Sequence, residues 1–254
     1  MISKNKIRLV RQLSGKKFRC ENALFVAEGH KCVNDLLNSF ECVWMACIES
    51  YLLPVTANKP IEVQIVTADE LRRISLLETP QDVLAIFEMR RSDVNDVKVE
   101  GALTLAIDGV QDAGNMGTIV RIADWFGIEN IVCSQGTVDI YNPKCVQATM
   151  GALSRVNVIY TDLPAFLKCA SEKVAVFSTT LDGENIYQTN LPSSAVLVMG
   201  NEGNGVSDAV REVCDRALFI PSFPSGRPTS ESLNVGVATA VACAEIRRRT
   251  ICEG

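Results

Sequence analysis

The sequence contains one histidine, His30. A metal centre built from several imidazoles is therefore excluded, and any hydrolytic triad would depend on that single ring. Its ten cysteines include no C-x-x-C pair, which removes zinc-ribbon and thioredoxin-like chemistry. Most of them lie in apolar runs, where a thiol acts as a small hydrophobe. No apolar run approaches the roughly 20 residues of a membrane span. The longest small-apolar stretch, 235–244, is about half that length. The opening residues, MISKNKIRLVRQ, are charged and lack the apolar core of a secretory leader, so a reducing cytoplasm is the expected compartment. No G-K-[ST] occurs, and no G-x-G-x-x-G opens a first strand–helix turn. Walker-type nucleotide binding and a Rossmann dinucleotide site are disfavoured accordingly.

What is present is ordinary globular material. The 254 residues are 47% hydrophobic and 22% charged, enough apolar surface for one large or two modest domains. The net charge of −5 is unevenly spread. Lys4, Lys6, Arg8, Arg11, Lys16, Lys17 and Arg19 give the first 20 residues +7 with no acidic residue, leaving −12 on the remainder. Such asymmetry points to a local anionic partner or to a solvated basic helix face.

Apolar periodicity predicts helices over 3–13, 29–38 and 68–74 and strands over 23–27, 42–48, 62–66 and 83–87, a small α/β unit. The polar stretch before residue 102 reads as a linker at 89–101. Beyond it, strands are expected at 103–107, 130–133, 156–160, 174–177, 195–199 and 217–220. Helices are expected at 115–126, 143–153, 163–170, 208–214 and 230–249. Continuous apolar strands between helices imply a buried parallel sheet.

Ligands of such sheets bind beyond the carboxyl ends of the strands. Three polar or glycine-rich stretches fall there: 108–121 (DGVQDAGNMGTIVR), 200–207 (GNEGNGVS) and 221–234 (PSFPSGRPTSESLN). Gly200, Gly203 and Gly205 permit close approach of a ligand to the backbone. Taken singly each stretch has a plain reading: turn glycines, Asn115 as a helix cap, Arg121 as a surface cation, and Ser232 and Asn234 as caps.

Together they resemble the SpoU/TrmH class of the SPOUT RNA methyltransferases. The first motif is Asn115-Met-Gly-Thr-Ile-Val-Arg121-Ile-Ala and the second Leu197-Val-Met-Gly200-Asn-Glu202-Gly-Asn-Gly205. The third is Ile220-Pro221 followed by Ser232-Leu-Asn234-Val-Gly-Val-Ala. More loosely, residues 1–88 resemble the ribosomal-protein-like substrate-binding domain that often precedes this class, with Phe25-Val-Ala-Glu28-Gly29 as the clearest match.

The resemblance implies an α/β fold: a parallel sheet with a C-terminal trefoil knot at 102–254, joined by the linker to a smaller α/β substrate-binding domain at 1–88. It implies S-adenosylmethionine as cofactor, held by Gly200, Asn201, Gly203, Ile220 and Leu233, and no metal. It implies a homodimer formed through the catalytic domain. The reaction implied is methylation of a ribose 2′-hydroxyl, with ribosomal RNA favoured over transfer RNA. Asn115, Arg121, Glu202, Ser232 and Asn234 are the implied catalytic set, and their joint presence argues against a non-catalytic RNA-binding relative. Two expectations accompany it. Residues 4–19 are expected to help dock RNA, and Trp44 and Trp125 to serve as core or interface residues. The loop before Ser232 is longer than the usual form and adds Pro224, Arg227 and Pro228; Arg227 faces either RNA or solvent.

Overall fold

A computed structural model describes residues 1–51, 61–224, 226–228 and 230–252. In chain order the elements are α1 (Lys4–Gln12), α2 (Lys16–Asn22), β1 (Leu24–Glu28), α3 (His30–Leu37), β2 (Cys42–Cys47), β3 (Glu62–Ile65), α4 (Ala68–Ile74) and β4 (Val83–Glu88). They continue with β5 (Leu103–Ile107), α5 (Ala113–Trp125), β6 (Asn130–Ser134), α6 (Pro143–Thr149), β7 (Asn157–Thr161) and α7 (Leu163–Ser171). The last are β8 (Ala175–Asn185), β9 (Ala195–Met199), α8 (Asp208–Arg211), β10 (Arg216–Phe219) and α9 (Val235–Cys252). Two compact units result. One comprises Met1–Arg91 with Asp139–Arg155, the other Ser92–Val138 with Val156–Gly254.

The first unit is built on a mixed four-stranded sheet of order β1-β4-β2-β3, in which β4 runs antiparallel to both neighbours and β2 and β3 are parallel. Trp44, Ile86, Leu13 and Ile74 lie in one buried cluster, which settles Trp44 as a core residue. Helix α2 was not expected. Its sequence, KKFRCEN, carries too few apolar residues for a periodic signal. Its organising residue is Arg19, only 1% exposed, whose guanidinium donates to the Leu13 and Ser14 carbonyls at the end of α1 and to the Asp139 carboxylate. A cation there satisfies carbonyls that a helix leaves unpaired. Arg19 is therefore withdrawn from the expected RNA-docking set. Lys6 is also engaged, bonded to Glu62 at 3.0 Å and lying over the Trp44 ring.

The second unit carries a six-stranded sheet of order β10-β8-β9-β5-β6-β7, parallel throughout. Every residue of β5 and β9 is buried; β9 is apolar throughout and β5 is so but for Thr104. Three expected elements change length for local reasons. The helix expected at 143–153 stops at Thr149, because Met150 and Gly151 adopt left-handed backbone. The last helix starts at Val235, because Asn234 caps it, its Oδ1 accepting from the Gly236 N–H at 3.0 Å. Strand β8 runs on to Asn185. Its pairing with β10 steps from Ser178 opposite Ala217 to Glu184 opposite Leu218, so residues 179–183 bulge out. Gly183 lies where a Cβ would come within 2.6 Å of the Ala217 backbone.

Candidate active site

Four adjacent strands, β10, β8, β9 and β5, bring their carboxyl ends to one edge of the parallel sheet. The stretch after β5 is tied to the stretch after β9. Asp108, 8% exposed, accepts from the Ser207 N–H at 2.8 Å and the Ser207 hydroxyl at 2.6 Å. Asn201 donates from Nδ2 to the Gly109 carbonyl at 2.7 Å, and its Oδ1 accepts from the Gly203 and Asn204 N–H groups. Its own backbone pairs both ways with Gly205. The chain folds back so tightly that a Cβ at position 200 would sit 2.3 Å from the Gly205 backbone, so only glycine fits.

Three of the candidate side chains then link all three stretches. Asn234 donates from Nδ2 to Asn115 Oδ1 at 2.8 Å, and Asn115 donates from Nδ2 to Glu202 Oε1 at 2.6 Å. Each amide thus has its orientation fixed by what it gives and what it accepts. Asn115 is itself held by Asp112, which caps α5 by accepting the Asn115 N–H at 2.7 Å.

Beside this relay lies a pocket of about 460 Å³. Gly200, Asn201, Glu202, Gly203, Ile220, Ser232 and Leu233 line it, together with apolar Met199, Leu218 and Val235. Its size lies within the roughly 300–1,000 Å³ of small-molecule sites. Apolar strand ends on one side and exposed loop backbone on the other suit a nucleoside with a polar tail, so the residues fit S-adenosylmethionine.

Arg121 is not among the lining residues. It stands six residues beyond Asn115 on α5, about 120° around the helix axis from a shared face, and is exposed. Thr118 and Trp125 are exposed on the same stripe, and Trp125, 85% accessible, is not a core residue of this chain. Sequence reasoning missed Asp108 and Ser207 as the tie between two loops; an acidic residue directly after a buried strand was the available signal. It also missed Thr179–Asp182 and Arg211, which complete the pocket wall. No pattern marked them: Thr179–Asp182 lie in the β8 bulge and Arg211 ends the short helix α8.

The model of the SpoU rRNA methylase family matches residues 102–244. The Bacillus subtilis 23S rRNA (guanosine(2553)-2'-O)-methyltransferase RlmP is 30% identical over 246 residues, 95% of this chain and 96% of that protein. The chain belongs to the SpoU rRNA methylase family. In this SpoU methylase, residues 4–85 further match the MRM3-like substrate binding domain. The 23S rRNA (guanosine-2'-O-)-methyltransferase RlmB of Neisseria meningitidis is 32% identical over 79% of the chain and 82% of its own length. Among solved structures, a TrmH-family protein from Porphyromonas gingivalis superposes with a TM-score of 0.89 at 37% identity, covering 98% of this chain and 99% of that one. An rRNA methyltransferase from Sinorhizobium meliloti with AdoMet bound does so at 0.86 and 28%, covering 98% and 96%.

Proposed function

We propose that this SpoU methylase modifies a ribose of 23S ribosomal RNA, as a homodimer in the cytoplasm, with 1–88 as substrate-binding domain, 89–101 as linker and 102–254 as methyltransferase domain. The protein is an S-adenosylmethionine-dependent rRNA 2′-O-methyltransferase. The observation that carries this reading is the Asn234–Asn115–Glu202 relay beside a nucleoside-sized pocket at the strand ends. The segment from β8 to α9 is read as the family's trefoil knot, in keeping with β10 lying outside β8 and β9 inside it.

AdoMet, when bound, supplies a methyl group already activated by its sulfonium. The chain's task is to align the hydroxyl with that methyl, and proximity can contribute most of the rate. Backbone groups of Gly200, Ile220 and Leu233 hold the adenosine, while Asn201 and Gly203 shape the wall. Asn115, Asn234, Ser232 and Glu202 orient the incoming ribose. Arg121 clamps a neighbouring phosphate and stabilises charge growing on the 2′-oxygen. A guanidinium keeps its proton throughout the neutral range, so the role given to Arg121 is that of a cation. Its exposed stripe supports the dimer. Trp125 on α5 and Val237 on α9, 85% and 51% exposed, are apolar side chains suited to cover by a second copy, and Arg121 is read as part of that interface.

Ribose methylation mapped across rRNA in cells with and without the protein tests this reading. One position is expected to lose its 2′-O-methyl group on deletion and to regain it with the wild-type chain. Identical maps from both strains overturn it.

A further inference from the structure

The pocket wall is unequal in charge. Its lining includes three carboxylates, Asp182, Glu202 and Glu231, and among the described residues a single cation, Arg211. S-adenosylmethionine carries the complementary set: a sulfonium and an α-ammonium, both positive, and one α-carboxylate. With one anion on the ligand and one cation on the wall, electrostatic pairing leaves little choice of register.

The positions agree with this. Arg211 ends α8, the short helix that follows the glycine-rich loop, and Asp182 lies in the β8 bulge. Arg211 Nη2 meets Asp182 Oδ2 at 2.7 Å, with side chains 48% and 64% exposed. The pair therefore stands where the pocket opens to water, and apolar Met199, Leu218 and Val235 line the pocket elsewhere. An amphipathic donor binds with its adenine against apolar wall and its strongly hydrated amino-acid end at the mouth, since burying that end unpaired is costly. One Arg211 N–H is bonded to Asp182. Among the described residues its guanidinium makes no other hydrogen bond, and its planar fork is suited to a carboxylate. Asp182 in turn holds the arginine in place, and the lone pairs of a carboxylate can accept from an ammonium as well.

We propose that Arg211 and Asp182 form a clamp for the donor's amino-acid end, Arg211 taking the α-carboxylate and Asp182 the α-ammonium. This rests on the pocket being the donor site. Gly183 serves the clamp indirectly, since only glycine lets the bulge that carries Asp182 close against Ala217.

Calorimetric titration of the full chain with AdoMet and with 5′-methylthioadenosine, which lacks the amino-acid end, separates the possibilities. Arg211→Gln is expected to weaken AdoMet about tenfold and to leave 5′-methylthioadenosine within twofold. Asp182→Asn should show the same selectivity with a smaller loss, and Arg211→Lys should recover part of the AdoMet affinity. Unchanged 5′-methylthioadenosine binding also certifies that each variant is folded. Equal weakening of both ligands makes the pair a wall support and overturns the clamp, as does no weakening of either. A wild-type chain that binds neither ligand brings down the donor-site reading itself, and the clamp with it.

Discussion

The interior of the first unit and the sheet edge of the second use charged groups in opposite ways. In that interior they are buried and consumed by the fold. Arg19 is 1% exposed and joined to two carbonyls and Asp139. Glu28, 4% exposed, accepts from the Ser75 hydroxyl at 2.6 Å and the Leu76 N–H at 2.8 Å, and burial holds its carboxyl above the usual range. In the second unit the candidate site residues gather at the carboxyl edge of the sheet and remain open: Asn115 half-buried, Glu202, Ser232, Asn234 and Arg121 exposed. A parallel sheet buries both faces in apolar contact and leaves only its loop-bearing ends for chemistry. Burial, more than residue type, thus separates a structural carboxylate such as Glu28 from one such as Glu202.

The largest expected effect lies in the first unit. Asp139→Ala leaves the Arg19 guanidinium buried without its anion and should cost about 3–5 kcal/mol, read as a shift of the denaturation midpoint. A loss under 1 kcal/mol would break the contrast from that side. Arg121→Ala should do the reverse: about a hundredfold less methyl transfer or more, with stability within about 0.5 kcal/mol and AdoMet affinity within twofold. Full activity in that variant removes Arg121 from the catalytic set.

A subtler case is the exposed charge of the first unit. Lys4 and Arg8 are exposed on α1, unlike Lys6 and Arg19. Replacing both with Ala should lower the slope of log affinity for RNA against log salt by about 1.5, at roughly 0.7–0.9 per phosphate contact. An unchanged slope moves the RNA surface elsewhere.

The smallest effect concerns a structural carboxylate in the second unit. Glu245 accepts from Arg248 through both oxygens at 2.9 Å and from Arg249 at 2.7 Å. Those bonds, Arg248 first, hold its carboxyl down at about 2, against an ordinary 4.5. The depressed value means its stabilisation is present above about pH 4.5 and fades as pH falls toward 2. Glu245→Gln should lower stability at neutral pH by about 1 kcal/mol and flatten the acid limb of the stability curve. Parallel acid limbs for variant and wild type contradict this.

Much of the sheet could be read in advance, because apolar runs such as AVLVM, and LTLAI with its single threonine, are suited to a parallel interior. The site loops could be read because three polar stretches each follow a strand. What stayed hidden depends on long-range geometry. Helix α2 exists for the sake of one buried arginine whose partner lies 120 residues away. The pocket wall at Thr179–Asp182 exists because a ladder slips by five residues where Gly183 crosses Ala217.

If the edge formed by β8, β9 and β10 receives the methyl donor, a crystal structure of the full chain grown with AdoMet shows it there. The adenosine is expected against Gly200, Ile220 and Leu233, with the relay of Asn234, Asn115 and Glu202 intact beside it. Ligand bound at any other place, with this pocket empty at saturating AdoMet, would contradict it.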